Sequence, residues 1–181
     1  MARVEQFNLL DSALDGTNLI EASAGTGKTY TIAGLFLRLI LEKKISVKEI
    51  LVVTFTEAAT GELRDRIRRK LREAVRAFSG ERTDDAFLSD LVKRHKDSKS
   101  ALRYLKTALR TFDQAAIFTI HGFCRRALYE NAFESGSHFD TELVTGQENI
   151  KREIVDDFWR KHFCSASLLF VNYAISWNPS G

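Results

Sequence analysis

The order of apolar and polar positions along the chain predicts short buried strands that alternate with amphipathic helices. Short, mostly apolar runs of this kind are typical of strands in a parallel sheet, and they occur at residues 18–22, 50–55 and 115–120. Helical periodicity predicts helices at residues 28–43, 57–78, 84–95, 100–112 and 122–131. From about residue 141 the pattern is helical only.

The pattern of apolar positions predicts a different degree of burial for the strands and for the helices. The run 50–55, "ILVVTF", is apolar at nearly every position, which favours a strand buried on both faces of a sheet. In helix 57–78 the inward positions are Leu63, Ile67, Leu71, Ala74, Val75 and Phe78. In helix 28–43 they are Ile32, Leu35, Phe36, Leu39 and Ile40. Both sets follow the spacing of a single helical face.

The order of elements predicts the fold class. Strand, helix, strand, helices, strand and helix is the order of a doubly wound α/β domain with a parallel sheet. A chain of 181 residues, 44% of them hydrophobic, can bury one compact core and part of a second domain. We therefore expect an α/β domain with flanking helices, followed by an all-helical segment.

The positive charge is concentrated in one predicted helix. The formal net charge of the chain is only +3, but residues 62–76 hold seven Lys or Arg against three Asp or Glu. Such a segment is either a solvated helix face or a surface that faces an anion. The sequence favours the solvated face and leaves the anion-facing surface open.

Cysteine usage and hydropathy indicate the class of protein. Cys124 and Cys164 are the only cysteines, too few for a disulfide framework or a four-ligand metal site. The apolar run 32–41 is too short to span a bilayer and contains Arg38, and residues 1–10 lack the apolar core of a signal peptide. We therefore expect a soluble cytoplasmic protein.

The stretch "EASAGTGKTYT" has the composition of a phosphate-binding loop. Small residues let backbone N–H groups approach a polyphosphate, and a lysine that opens the next helix can reach the β- and γ-phosphates. Lys28 and Thr29 are the predicted catalytic residues, with the Thr29 hydroxyl suited to Mg²⁺. Ala22 stands where the general pattern has glycine, and an ordinary strand-to-helix turn is the alternative. The predicted cofactor-binding set is Ala22, Ser23, Ala24, Gly25, Thr26, Gly27, Lys28, Thr29 and Tyr30.

Four motifs in order resemble one family of enzymes. "LIEASAGTGKTYTIA", "ILVVTFTEAATGELRDRI", "IFTIHGFCRRAL" and "NAFESG" are similar to superfamily 1 DNA helicases of the UvrD/Rep/RecB type, and within them to RecB-type helicase–nuclease subunits. The resemblance implies a P-loop NTPase fold with a RecA-like sheet. It also implies a partial lobe 1A at residues 1–140 and the start of an inserted helical domain 1B at residues 141–181.

The same resemblance implies a path for single-stranded DNA. Two of its motifs place Thr54, Phe55, Thr56, Thr119 and His121 on that path. The chemistry is suitable, because hydroxyl and helix N-terminal N–H groups bind phosphate oxygens and an aromatic ring can stack a base. Two alternatives stay open: Thr56 can cap the helix that follows it, and Phe55 can belong to the core.

The resemblance also implies the function and its partners. It implies the ATP- and Mg²⁺-binding part of an ATP-dependent DNA helicase and exonuclease subunit that acts in double-strand break repair and recombination. The implied partners are DNA, both a single strand on its path and a duplex end, and RecC-like and RecD-like subunits. An apolar strand ending in Asp-Glu is missing, and Val155-Asp156-Asp157 is interpreted as a helix surface. The chain alone is therefore expected to bind nucleotide without hydrolysing it. The alternatives are a small P-loop phosphotransferase and a non-catalytic interaction module.

Overall fold

The structure is a computed structural model that describes residues 6–23, 25–131, 134, 146–164 and 166–176. The chain divides into two compact units, Met1–Glu130 and Asn131–Gly181. The predicted domain boundary after residue 140 lies outside the described residues and stays a prediction. No helix in the described ranges is both long enough and apolar enough to cross a membrane.

The first unit is built around two parallel strands. Strand β1 pairs with β2 in register from Leu51 opposite Ala116 to Thr54 opposite Thr119. The elements of this unit are α1 (Lys28–Glu42), β1 (Leu51–Thr54), α2 (Glu57–Phe78), α3 (Ala86–Arg94), α4 (Ser98–Arg110), β2 (Ala116–Thr119) and α5 (Ile120–Glu130). The predicted α/β class is therefore observed, with a sheet of two strands among the described residues.

Helix α2 forms the centre of the first unit and has the predicted bounds. The Thr56 hydroxyl accepts a hydrogen bond from the Ala59 N–H and caps the helix, and Gly80, with φ of 97°, allows the chain to turn after it. Helix α2 packs against α1, α3, α4 and both strands. Its predicted inward residues are buried, except that Val75 is half-buried.

Two predictions about the strands are wrong. Residues 18–22 do not form a strand, because they pair with neither β1 nor β2 and a strand needs a neighbour for its backbone N–H and C=O groups. Strand β1 is not buried on both faces, since Leu51 is 44% exposed and Val53 is 42% exposed. Val52 is half-buried and packs against the core.

The buried face of α1 is rotated from the predicted one. The structure buries Ala33, Phe36, Leu37, Ile40 and Leu41, which leaves the predicted inward residue Ile32 exposed and Leu35 and Leu39 half-buried. The rotation follows from the chain that precedes the helix, because Leu9 packs so close to Gly34 that a Cβ there would lie 2.6 Å from Leu9 Cδ2. Only glycine permits that approach.

The described residues of the second unit are largely helical, as predicted. Helix α6 spans Glu148–Phe163 and α7 spans Leu168–Ser176. The rings of Trp159 and Phe163 stack at 4.0 Å, and Phe163 lies 5.4 Å from the ring of Phe170. Asp156 and Asp157 are exposed on α6, which confirms their interpretation as a helix surface.

Candidate functional site

Two glycines in the loop before α1 have backbone torsion angles that few other residues adopt. Gly25 and Gly27 have φ of 79° and 85°, a left-handed region that favours glycine. Gly27 is the N-cap of α1, and no side chain caps the helix. The first-turn N–H groups therefore have no side-chain acceptor, and the positive end of the helix dipole adds to their attraction for an anion.

The side chain of Lys28 is hydrogen-bonded to the backbone of this loop. Its ammonium donates to the carbonyl oxygens of Ser23, at 2.6 Å, and Ala22, at 3.2 Å. The Thr26 hydroxyl also donates to the Ser23 carbonyl, at 2.7 Å. The ammonium is thus held at the loop by two hydrogen bonds to backbone carbonyls. Thr29 follows on the first turn of α1, half-buried, and Ala24 lies outside the described residues.

Tyr30 is tied to α2 and α3 through its side chain. Its hydroxyl donates to Asp85 Oδ1 at 2.8 Å, and its ring lies 4.1 Å from the Lys70 ammonium. Lys70 is buried and hydrogen-bonded to the other oxygen of Asp85. The sequence predicted Tyr30 as a cofactor-binding residue, and that role stays a prediction: its hydroxyl is hydrogen-bonded to Asp85, while its backbone N–H belongs to the first turn of α1.

The electrostatics of this cluster shift two ionisation equilibria. Burial raises the pKa of Tyr30 well above its usual range, and the hydrogen bond to the Asp85 carboxylate raises it further. Burial by itself would also raise the pKa of Asp85. Hydrogen bonds from Lys70, from the Leu88 N–H and from the Tyr30 hydroxyl outweigh that effect and hold the pKa of Asp85 below its ordinary value.

The two strands end side by side at the predicted DNA-path residues. Thr54 and Thr119 are opposite each other in the parallel register. The Thr54 hydroxyl is 2.5 Å from the Thr60 hydroxyl and donates to the Thr56 carbonyl at 3.1 Å. Because Thr56 caps α2, the hydroxyls of Thr54 and Thr56 are both used within the turn that starts this helix.

Thr119 has a structural role that the sequence did not reveal. It is only 7% exposed, and its hydroxyl donates to Glu57 Oε1 at 3.1 Å and accepts from the Gly122 N–H at 3.0 Å. A Cβ at Gly122 would lie 3.0 Å from the Thr119 hydroxyl, so glycine lets α5 approach the strand end. The contact with Glu57 depends on tertiary structure, and no local pattern predicts it.

Phe55 and His121 are among the residues at this edge that face solvent. Phe55 is 86% exposed, which excludes the core position that the sequence left open, and His121 is exposed at the start of α5. An exposed ring and an imidazole beside a helix N-terminus can contact a base and a phosphate. The described residues contain no group of three or more His, Cys, Asp or Glu that could hold a metal ion by itself.

Comparison with known proteins agrees with these motifs. The UvrD/REP helicase N-terminal domain model matches residues 3–170. The chain is 46% identical over 166 residues to the RecBCD enzyme subunit RecB of Escherichia coli K12. This alignment covers 87% of this chain and 14% of that protein. It is 43% identical over 187 aligned positions to the Haemophilus influenzae subunit of the same name, covering 96% of this chain and 15% of that protein.

A more distant relative gives the same result. The RecBCD enzyme subunit RecB of Mycobacterium tuberculosis H37Rv is 38% identical over 149 residues, covering 81% of this chain and 14% of that protein. The chain thus spans about a seventh of the length of the curated relatives that it matches. It belongs to the UvrD/Rep helicase N-terminal domain family and has the sequence of a RecB N-terminal region.

Proposed function

We propose that this chain is the nucleotide-binding region of a RecB-like, ATP-dependent DNA helicase and exonuclease subunit that acts in double-strand break repair and recombination. The observation that carries the proposal is the loop at α1, where two glycines with positive φ, an uncapped helix N-terminus and the Lys28 ammonium converge. Family membership supports the helicase assignment over a small-molecule phosphotransferase.

ATP is the proposed ligand of this loop, with Mg²⁺ bound through it. The first-turn N–H groups of α1 and the Lys28 ammonium would hold the phosphate oxygens, and the Thr29 hydroxyl would face the metal. The donor set fits a polyphosphate, because it offers hydrogen-bond donors and positive charge, and the first turn of α1 contains no acidic residue. Bound Mg²⁺ supplies charge neutralisation at the phosphates.

Single-stranded DNA is the proposed ligand of the strand-end edge. Phe55 would stack a base, and His121 and the N-terminal turn of α2 would contact phosphate. Thr54, Thr56 and Thr119 would position these groups, because their hydroxyls already have protein partners. RecC-like and RecD-like subunits are the proposed protein partners, since the relatives are named as subunits of a RecBCD enzyme.

The chain of 181 residues is proposed to bind nucleotide without turning it over. In the described residues no cluster of acidic or other metal-ligating side chains completes a metal site. Phosphoryl transfer also needs cationic groups around the transferred phosphate, and Lys28 is the one cation that this loop provides. Steady ATP hydrolysis that is abolished by Lys28→Ala would contradict this part of the proposal.

Calorimetric titration of Mg–ATP into the chain tests the nucleotide site. Lys28→Ala should weaken binding at least tenfold, because it removes the charge at the phosphates. Lys96→Ala is the matched control, since Lys96 is an exposed lysine outside the loop, and it should bind as the original chain does. Absence of binding to the original chain would favour a non-catalytic interaction module.

Fluorescence anisotropy with a labelled oligothymidine tests the DNA edge. Phe55→Ala should weaken binding by about 1–3 kcal/mol if the ring stacks a base. Leu128→Ala serves as the control, because Leu128 is also a large exposed apolar residue of this unit. If His121→Ala lowers nucleotide affinity as much as DNA affinity, then His121 supports the fold and does not contact DNA.

A further inference from the structure

Helix α4 carries a row of positive charge that neither the loop nor the strand-end edge uses. The helix spans Ser98–Arg110 and contains four basic residues and no acidic residue. The basic residues are Lys99, Arg103, Lys106 and Arg110, which we call the α4 basic stripe. The stripe is as basic as residues 62–76, where the sequence had placed the positive charge of the chain.

The four residues of the α4 basic stripe lie on one narrow face. Their spacings of four, three and four residues place them within an arc of about 60° on a helix that turns about 100° per residue. The buried residues Ala101, Leu105 and Ala108 lie on the opposite side of the helix. The stripe therefore points directly away from the core, and all four side chains are exposed.

The stripe differs from the other basic helix, α2, where three of the seven basic residues pair with an acidic side chain. On α2, Arg66 pairs with Glu62, Arg68 with Asp113 and the buried Lys70 with Asp85, and Arg64 donates to the Ile117 carbonyl. Within the part of the chain that the structure describes, none of the four stripe residues forms an ion pair. The guanidinium of Arg103 lies 5.6 Å from the ring centre of the neighbouring Tyr104.

The shape of this surface suits a large, regular polyanion. The stripe runs along the helix for about 16 Å, at about 1.5 Å per residue, with a positive charge every 4.5–6 Å or so. Leu102 and Thr107 flank it and, with the stripe, line a shallow open groove of about 330 Å³. Duplex DNA carries a negative charge for about every 1.7 Å of its axis, so several phosphates can face one such row.

We propose that the α4 basic stripe binds the phosphate backbone of double-stranded DNA, as a second nucleic-acid surface in addition to the single-strand edge. Sites for single strands combine basic grooves with stacked aromatic rings, and the stripe presents no exposed ring. Protein interfaces are centred on apolar and aromatic anchors, which the stripe also lacks. Sequence-independent contact with duplex phosphates needs only cations.

Binding of a labelled 20-base-pair duplex, measured by anisotropy over a series of salt concentrations, tests the proposal. The variant with Lys99→Gln, Arg103→Gln, Lys106→Gln and Arg110→Gln should bind duplex at least tenfold more weakly at about 0.1 M salt. The slope of log affinity against log salt should fall by about 3–4, since each lost phosphate contact removes about 0.9. Circular dichroism checks that the variant keeps its helices.

The matched control removes four charges from another helix. Lys151, Arg152, Arg160 and Lys161 are exposed on α6, and their replacement by Gln changes the net charge equally. The control should bind duplex within about twofold of the original chain. If it loses as much affinity as the stripe variant, binding follows net charge only and the proposal is wrong.

Two further outcomes would overturn the choice of ligand. If the stripe variant loses as much affinity for oligothymidine as for duplex, the stripe binds single strands as well and is not a duplex-specific surface. Competition by polyglutamate as strong as by duplex, at equal charge concentration, would assign it to an acidic protein. Nucleotide affinity and the effect of Phe55→Ala should be unchanged in the stripe variant, so this test is independent of the proposed function.

Discussion

At the scale of single residues, Tyr30 links the phosphate loop to the helices behind it. Its backbone belongs to the first turn of α1, while its hydroxyl and ring contact Asp85 and Lys70. Asp85 also caps α3 through the Leu88 N–H, at 3.1 Å. One side chain thus connects α1, α2 and α3, which holds the start of α1 in place for the loop.

The first prediction concerns Tyr30→Phe, which removes the hydroxyl and keeps the ring. The free energy of unfolding should fall by about 1–2 kcal/mol, because a hydrogen bond to a charged carboxylate is lost. Affinity for Mg–ATP should change less than twofold, since the hydroxyl that is removed is hydrogen-bonded to Asp85. Urea unfolding and calorimetry measure the two quantities, and a tenfold loss of nucleotide affinity would contradict the assignment.

The second prediction concerns the pH dependence of stability. The pKa of Asp85 is lowered in the folded chain, so its contribution to stability is present above the unfolded pKa, near 4. That contribution is lost as the pH falls through the lower, folded pKa. Asp85→Asn should therefore be less stable than the original chain at pH 7 and should lose less stability between about pH 5 and pH 2. Urea midpoints across this range measure the difference.

At the scale of elements, the sequence predicted those whose signals are local. Helix α2 has an N-cap, an unbroken apolar face and a terminal glycine, so both of its ends were correct. Residues 18–22 have strand-like composition, but a strand depends on a pairing neighbour, which local sequence does not show. The rotated face of α1 depends in the same way on the contact between Gly34 and Leu9.

The segment before the loop is held to α1 by a buried arginine. Arg38 is 5% exposed, and one of its amino groups donates to the carbonyls of Leu9 and Ser12, each at 2.8 Å. Its guanidinium also pairs with Glu42, four residues further along the same helix. The Ser12 hydroxyl accepts from the same amino group at 3.0 Å, so Arg38 fixes the segment through both its backbone and a side chain.

The third prediction is that Arg38→Ala detaches the segment at residues 7–15 from α1. The free energy of unfolding should fall by about 2–4 kcal/mol, because two backbone carbonyls and a carboxylate lose a buried partner. Proteolysis at residues 7–15 should become faster. Arg94→Ala is the control: Arg94 pairs with Asp11 at the surface and should cost less than about 1 kcal/mol. Equal effects of the two substitutions would contradict this role of Arg38.

At the scale of the whole molecule, the second unit carries several large apolar side chains that face solvent. Leu168 and Leu169 on α7 are 82% and 85% exposed. Further exposed apolar residues lie on α6, namely Ile150, Ile154, Val155, Phe158 and Trp159. Contiguous apolar surface of this kind favours association.

The fourth prediction is that the chain associates through this surface. Light scattering should give a mass that rises with concentration above the 20.6 kDa of one chain. The double substitution Leu168→Lys and Leu169→Lys should lower that mass without loss of helix, because both side chains already face solvent. A monomeric original chain at high concentration would contradict the prediction.

The central claim is that the loop at α1 is where nucleotide phosphates bind. Amide chemical shifts, followed during titration with Mg–ATP, test it residue by residue. The account predicts saturable shifts of the Gly25, Gly27, Lys28 and Thr29 amides, which disappear in Lys28→Ala. Shifts confined to the α4 basic stripe, with the loop amides unchanged, would contradict it, because nucleotide would then bind only as a general anion.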